Sequence, residues 1–329
     1  MDPTPVWYGR HPLSLALAPL GWVYCAGAML RRLAYRSGRL ESRRLPVPVA
    51  VVGNLSVGGT GKTPLVLALA ELAVERGWRP GILIRGYRGT ASDWPRTVRA
   101  EDDPALVGDE ALLLARRGPC PVIAGPDRVA SGELAISTHG CNLLLCDDGL
   151  QHYRLARDLE LAVIDGERGL GNGRCLPAGP LREPRGRLRA VDFQVANGGP
   201  PGAWDYRFEL KAGDAASLSE PGRVRPLESF QGQRVAAVAG IGNPGRFFAM
   251  LRERGILVEE WPYPDHHPYG PSDLEDWPPG PVLMTEKDAV KCGQVGRADL
   301  WYCPVRAEPE PALVAALFSK LPSPPASRV

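Results

Sequence analysis

The chain predicts an α/β fold: a mostly parallel sheet sandwiched by helices, with a second, smaller α/β domain joined to it by a β-ribbon linker. Three observations lead there. From residue 45 onward, short and continuously apolar runs alternate with longer helical stretches, which is the pattern of parallel strands covered on both faces. A glycine loop, "GGTGKT" (58–63), lies where the first apolar run meets the first helical one. A second strand–turn–helix–strand series starts anew at "RVAAVAGIGNPGRFFAMLRERGILVEEW" (234–261). At 329 residues there is enough chain for two domains, each with its own core. The expected divisions are an N-terminal apolar and basic region (1–44), a domain carrying the glycine loop (45–195), a linker ribbon (196–230) and a smaller α/β domain (231–329).

Taken in order, the first element is "HPLSLALAPLGWVYCAGAML" (11–30), followed by "RRLAYRSGRLESRR" (31–44) with six arginines and one glutamate. Its apolar part is marginal for the ~20 residues a membrane span needs, and Pro19 and Gly21 interrupt it. A cleaved leader ending near "AGA" (26–28) would strand a nucleotide loop outside the cell. An interfacial helix needs only an apolar face, an aromatic anchor and basic flanks, and Trp22, Tyr24 and the arginines supply them. On one continuous helix Arg32, Arg36, Arg39 and Arg43 would share a side. The competing reading is a first helix packed on the core with a solvated basic end.

Next come a strand "VPVAVVGN" (47–54), the glycine loop, and a helix to about Arg76. Strands follow at "PGILIRGY" (80–87), "PVIAG" (121–125), "NLLLCDDG" (142–149) and "LELAVIDG" (159–166). Helices are expected at "VGDEALLLARRG" (107–118) and at "PDRVASGELAISTHG" (126–140), the latter with Pro126 near its first turn. A loop rich in proline and arginine spans 168–189. "VDFQVAN" and "WDYRFELKA", separated by "GGPPGA", read as two antiparallel strands forming the connecting ribbon. The net charge of +2 excludes a broad polyanion-binding surface, so no nucleic-acid partner is expected. Seven cysteines without a CxxC pair suit a reducing compartment.

The glycine loop carries the chemistry. The chain has only five lysines against thirty-four arginines, yet Lys62 stands inside this loop. Amides of a glycine turn at a helix N-terminus cradle polyphosphate oxygens, the lysine reaches the β/γ-phosphates, and the next hydroxyl ligates Mg²⁺. Ser56, Val57, Gly58, Gly59, Thr60, Gly61, Lys62 and Thr63 are thus the expected ATP-binding residues of a P-loop NTPase-like fold, with Ser56 where the usual first glycine stands. Asp147 and Asp148, at the end of an apolar strand, are expected to hold Mg²⁺ together with Thr63. Val57 replaces the lysine of partition-type ATPases, which disfavours that dimeric class. "GIGNPG" (240–245), with Glu259 about twenty residues on, satisfies a dinucleotide fingerprint on paper. It supports a second reading, a soluble dinucleotide-dependent enzyme; a non-catalytic nucleotide switch is a third.

With these residues in hand, the chain resembles the tetraacyldisaccharide 4′-kinase (lipid A 4′-kinase) family. The matching stretches include "VVGNLSVGGTGKTP" (51–64), "ILIRGYRG" (82–89), "VGDEALLLA" (107–115), "DDGLQHYRLARDLELAVID" (147–165), "LPAGPLREP" (176–184), "AGIGNPGRFF" (239–248), "PDHHPY" (264–269) and "LMTEKDAVKC" (283–292). The family's loop also lacks the first glycine, and its members carry the "GIGNPG" turn. The resemblance implies ATP-dependent phosphorylation of the 4′-hydroxyl of tetraacyldisaccharide 1-phosphate to give lipid IVA, at the cytoplasmic face of the inner membrane. It strengthens the expectation that residues 11–44 meet an anionic membrane surface. It also points to Asp109 as the base, assisted by His266, which is preferred to His267 because it directly follows Asp265. His152 is open between a substrate contact and a structural role, and Glu110 and Glu183 are supporting carboxylates. Any of Arg174, Arg182, Arg185, Arg187 and Arg189 is a candidate for the substrate phosphate.

Overall fold

The structure is a computed structural model that describes residues 4–9, 11–292 and 297–324. Two short helices, α1 (Thr4–Tyr8) and α2 (Leu13–Ala16), precede a long one, α3 (Ala18–Arg36). Their inner side is docked on the proline-rich loop: Trp7 Nε1 donates to Pro177 O (3.0 Å) and Ser14 Oγ to Ala178 O (2.9 Å). Gly21 lies so close that an added Cβ would stand 3.0 Å from Cys175 O. The outer side of α3 leaves Leu20, Trp22, Val23, Met29, Leu30 and Leu33 exposed. Among the described residues no helix is long and apolar enough to cross a membrane. The helix ends at Arg36, before Gly38 turns left-handed (φ +74°), so the expected side of four arginines does not form. Arg39 and Arg43 lie beyond it, and Arg43 pairs with Glu133 (3.3 Å).

β1 (Val49–Gly53), α4 (Lys62–Glu75), β2 (Pro80–Ile84) and β3 (Arg96–Val98) come next. Then follow α5 (Pro104–Val107), α6 (Asp109–Arg117), β4 (Val122–Ala124), α7 (Arg128–His139), β5 (Leu143–Asp147) and β6 (Leu159–Asp165). α7 is capped by Asp127, whose carboxylate accepts from Val129 N; Pro126 therefore precedes the helix instead of opening it. β1, β2, β4 and β5 are buried at every position, as both-sided covering demands.

The segments expected to form an antiparallel ribbon are β7 (Phe193–Asn197) and β8 (Tyr206–Ala212), and they pair in parallel as further strands of the first sheet. β7 buries Phe193, Val195, Ala196 and Asn197, which an exposed ribbon could not do. The glycine–proline link between them permits either direction, so composition alone misleads there.

The second unit contains β9 (Ala215–Ser217), β10 (Val224–Arg225), β11 (Arg234–Ala239), α8 (Pro244–Glu253) and β12 (Leu257–Pro262). It continues through α9 (Pro271–Asp276), β13 (Val282–Thr285), α10 (Glu286–Ala289) and β14 (Leu300–Cys303). The chain then returns to the first sheet with β15 (Val305–Pro309), antiparallel to β8, and α11 (Pro311–Ser319). Sheet membership therefore departs from the expected boundaries at 196–230 and 231–329. The cause is α4, which buries Leu65, Val66, Leu67, Leu69 and Ala73 and is apolar nearly all round. Leu313 and Leu317 of α11 join the same core and cover it.

The nine-stranded sheet runs β15-β8-β7-β6-β1-β5-β2-β4-β3, and the six-stranded one β10-β9-β14-β13-β11-β12. In the first sheet only β3 and β15 are antiparallel to their neighbours. The chain steps to one side of β1 through β5, β2 and β4 and to the other through β6 and β7. The carboxyl ends of β1 and β5 thus open on a crevice where α/β sheets bind ligands.

Candidate active site

The phosphate loop leaves β1 and enters α4 through Gly61, which is left-handed (φ +87°). A Cβ at Gly61 would stand 2.6 Å from Asn197 Nδ2, so both backbone angle and space select glycine. Asn197 Nδ2 donates to Thr60 O (3.1 Å), and Asn54 Nδ2 donates to Gly58 O (3.2 Å). Val57 N donates to Pro180 O (2.8 Å), and Ser56 bridges to Leu181, which ties the loop to the proline-rich segment. These bonds shape the loop around the positive end of α4.

Thr63 Oγ1 donates to Asp147 Oδ2 (2.8 Å). Burial pushes the Asp147 carboxyl up to about 7, and the neighbouring Glu110 and Asp148 add to it against Lys62. Its other oxygen, Oδ1, is buried without a hydrogen-bond partner. A costly buried charge with an orphaned oxygen beside a hydroxyl fits a hard divalent cation. Among the described residues no cluster of three or more His, Cys, Asp or Glu could hold a metal. Mg²⁺ needs none, because it takes one or two carboxylates and fills its remaining positions with phosphate oxygens and water.

Asp148 behaves differently. Burial raises its pKa, but Lys62 Nζ (3.6 Å) and Arg182, whose Nη1 donates to both carboxylate oxygens (2.9 and 2.8 Å), more than offset that and hold it at about 2. Both of its oxygens face Arg182, so Asp147 is the carboxylate with a free oxygen for a metal.

Asp109 begins α6 directly after Gly108, which is at φ +90° and has no room for a Cβ against Tyr87 O (2.6 Å). Asp109 Oδ1 accepts from Glu110 N (2.9 Å), and Oδ2 lies 2.8 Å from His266 Nδ1. Burial raises the Asp109 carboxyl, but the His266 hydrogen bond and the Lys287 charge outweigh it and hold it low. Asp109 itself is only 7% exposed, and His266 and Glu110 stand on the cavity wall beside it. His267 is turned away, bonded to Asp273 (3.1 Å) between the rings of Tyr263 and Tyr269.

Three non-glycine residues among those described have positive φ: Arg88 (62°), Asp148 (51°) and His266 (62°). All three belong to this site. Arg88 Nη1 donates to His266 O (3.0 Å), and the Tyr87 ring stacks obliquely on the imidazole. Such backbone persists only where surrounding contacts over-determine it.

The "GIGNPG" turn packs against the phosphate loop. A Cβ on Gly242 would stand 3.0 Å from Gly59 N, and Gly240 N donates to the fully buried Asp288 (3.0 Å). Arg246 Nη2 reaches Asn197 Oδ1 (3.2 Å). Glu259, the ribose ligand of a dinucleotide site, instead pairs with Arg234 (3.3 Å) on the surface. The glycines therefore serve close approach of the two units, and the dinucleotide reading falls.

The remaining candidates separate by burial. Glu110 accepts from Lys287 Nζ (3.0 Å), and Glu183 accepts from Gln151 (3.0 Å) and Tyr153. Arg174 donates to Ser14 Oγ (2.7 Å), Arg187 is buried against Glu160 and Tyr153, and neither lines the main cavity. Arg185 and Arg189 are exposed beside a separate cavity of about 360 Å³. Only Arg182 of the five lines the main cavity. That cavity, about 1170 Å³, joins the phosphate loop, Asp147, Asp148, His266 and the "GIGNPG" turn to Tyr24 and Arg31 of α3. It exceeds the space a single drug-sized ligand fills. Lys287, which sequence reasoning left unassigned, sits among Glu110, Asp265 (3.2 Å) and His266 (3.4 Å). The rarity of lysine could have drawn attention to it as it did to Lys62.

His152 also lines the cavity. Burial, with Arg128 adding, pushes it down to about 4, and its Nε2 is buried without a partner. Between its ordinary 6.5 and about 4 the unfolded chain takes up the proton and the folded chain does not, so acidification through that window destabilises the fold. Between about pH 6.5 and pH 5 the melting temperature of the wild type is expected to drop more than that of His152→Gln. Parallel curves in a thermal-shift titration would remove His152 as the cause.

A family model described as tetraacyldisaccharide-1-P 4′-kinase (LpxK) matches residues 13–322. The chain is 52% identical to the tetraacyldisaccharide 4′-kinase of Alkalilimnicola ehrlichii, over 98% of this chain and 97% of that one. It is 49% identical to that of Pseudomonas aeruginosa, over 96% and 95%. The crystal structure of LpxK from Aquifex aeolicus in complex with ATP superposes with a TM-score of 0.74 at 30% identity, covering 94% of this chain and all of that one.

Proposed function

Because the chain belongs to the tetraacyldisaccharide-1-P 4′-kinase family and carries that phosphotransferase activity, we propose that its cavity performs the transfer with the phosphate loop on one wall and His266, backed by the buried Asp109, on another. The reaction passes the γ-phosphoryl group of ATP to the 4′-hydroxyl of tetraacyldisaccharide 1-phosphate, giving lipid IVA in lipid A biosynthesis. The observation that carries the residue assignment is that Lys62, Thr63, Asp147 and His266 open on one cavity.

Phosphoryl transfer asks a protein for position and charge more than for covalent chemistry. Residues 56–63 bind the triphosphate, with Lys62 neutralising the β/γ oxygens. Thr63 and Asp147, with Asp148 adjacent, would hold Mg²⁺; when bound, the ion neutralises and aligns phosphate oxygens. Arg182 keeps Asp148 ionised and in place. A sugar hydroxyl is a poor nucleophile until its proton leaves, and the Asp109–His266 pair accepts that proton. The test is transfer of labelled γ-phosphate from ATP to tetraacyldisaccharide 1-phosphate, wild type against Lys62→Ala.

The lipid acceptor is reached from the cytoplasmic face of the inner membrane, on which the exposed face of α3 lies with Arg31 and Arg36 toward anionic headgroups. Support comes from the exposed Trp22 (71%), Val23 (72%) and Leu30 (66%), and from Tyr24 and Arg31 lining the catalytic cavity. The triple variant Trp22→Ser/Val23→Ser/Leu30→Ser removes apolar area that makes no core contact. It is expected to weaken binding to anionic vesicles by about tenfold or more while ATP binding persists. Unchanged sedimentation with vesicles would exclude this face as the contact.

A further inference from the structure

We propose that Lys287 is a positioning residue for the general base: its ammonium, anchored by Glu110 and Asp265, faces Nε2 of His266 and holds the imidazole neutral, with the Nδ1 proton donated to Asp109. This rests on the Asp109–His266 reading above and deepens it.

The geometry is specific. Lys287 Nζ is 3.0 Å from Glu110 Oε1, 3.2 Å from Asp265 Oδ1 and 3.4 Å from His266 Nε2. On the other side of the ring Nδ1 is 2.8 Å from Asp109 Oδ2. An ammonium has three donors and no acceptor, so the ring atom it faces must be the bare nitrogen. The proton is then on Nδ1, pointing at a carboxylate that can only accept. Lys287 stays charged despite burial, because Glu110, Asp109 and Asp265 hold its proton more tightly than water does.

The charges around the imidazole explain why such a residue is needed. Asp109 and Glu110 face it from α6 and Asp265 from its own loop, with another oxygen of Asp265 3.7 Å from Nε2. Arg88 bonds its backbone carbonyl, and Lys291 of the 286–292 segment is neutralised by Asp288 (2.7 Å). Without Lys287 three carboxylates would surround the ring and favour imidazolium, in which the Asp109–His266 pair already carries the proton it has to accept. Lys287 belongs to the second unit and Glu110 to the first, so the base is correctly protonated only when the two units meet.

The test uses Lys287→Met and Lys287→Arg in the full chain, assayed for phosphoryl transfer across pH. Lys287→Met should move the acid limb of the kcat profile up by about one to two pH units, with kcat recovering at high pH and the KM for ATP unchanged. At any pH below the limb, kcat should fall about tenfold for each pH unit by which the limb has moved. Lys287→Arg, which keeps the charge and the donors, should restore the limb. Glu286→Gln serves as the structural control. It breaks the neighbouring Arg117–Glu286 pair (2.7 Å) between the same two units and should lower the melting temperature without moving the limb. Nitrogen-15 NMR of His266 should report the proton on Nδ1 in the wild type. An unmoved limb in Lys287→Met, or a proton on Nε2 in the wild type, overturns the proposal alone. Retained activity in Asp109→Asn overturns the base reading, and the proposal with it.

Discussion

Replacing Asp109 by asparagine is expected to lower kcat by about 10²–10⁴-fold while ATP affinity stays near that of the wild type. The substitution keeps shape and keeps an oxygen for Glu110 N, which donates to Oδ1 at 2.9 Å. What changes is the atom opposite His266 Nδ1, where an amide donor replaces a carboxylate acceptor. The imidazole must then place its proton on Nε2, the side that faces Lys287, and two donors meet there. On the proposed reading the base is lost twice, once as a carboxylate and once through the wrong tautomer of its partner, a cost of the same kind as in other His–Asp pairs. In barrier terms the loss is about 3–5 kcal/mol. Asp109 touches none of residues 56–63 in the hydrogen-bond network, so nucleotide binding, measured by calorimetry, should not follow the rate. Single-turnover transfer at wild-type speed would exclude Asp109 from the chemistry; a parallel loss of ATP binding would make its role structural.

Lys62→Ala should be comparably severe but differently distributed. Its ammonium opens the first turn of α4 and lies 3.6 Å from Asp148, on the cavity wall proposed above to bind the triphosphate. Removing a fixed positive group from a transferring phosphoryl costs roughly 10²–10³ in rate, about 3–4 kcal/mol. Here ATP affinity should weaken as well, because the same charge serves ground state and transition state. Asp148 keeps both bonds from Arg182 Nη1, so the pocket should not collapse and the melting temperature without ligand should change little. Transfer within tenfold of wild type would mean that the triphosphate does not occupy this loop, and the assignment of residues 56–63 would go with it.

The legible parts of this chain share a cause. β1 reads clearly because it is apolar throughout and β5 because it is apolar up to its closing Asp147, and "GGTGKT" because a phosphate cradle would restrict residue type position by position. Local rules suffice where the constraint is local. Asp109 and His266 are 157 positions apart, and nothing in their flanks announces a 2.8 Å contact; only the family resemblance brought them forward together. The arginine loop shows the opposite failure, since five similar residues received one reading. Arg187 is buried against Glu160, Arg174 ties down α2, and Arg182 alone reaches the cavity. "GIGNPG" matched a pattern whose glycines answer to steric closeness in general, and here the close neighbour is the phosphate loop.

By itself, then, the sequence determined the alternation of strands and helices, the phosphate loop with its lysine and threonine, the paired aspartates and the amphiphilic N-terminal segment. Tertiary structure alone decided that β7 and β8 run parallel and that the last strand and helix return to cover α4. It also decided that Lys287 enters the site from the second unit. Periodicity and glycine spacing report on neighbours along the chain, whereas strand direction, burial of a charge and the tautomer of a histidine depend on groups that only folding brings within a few ångströms.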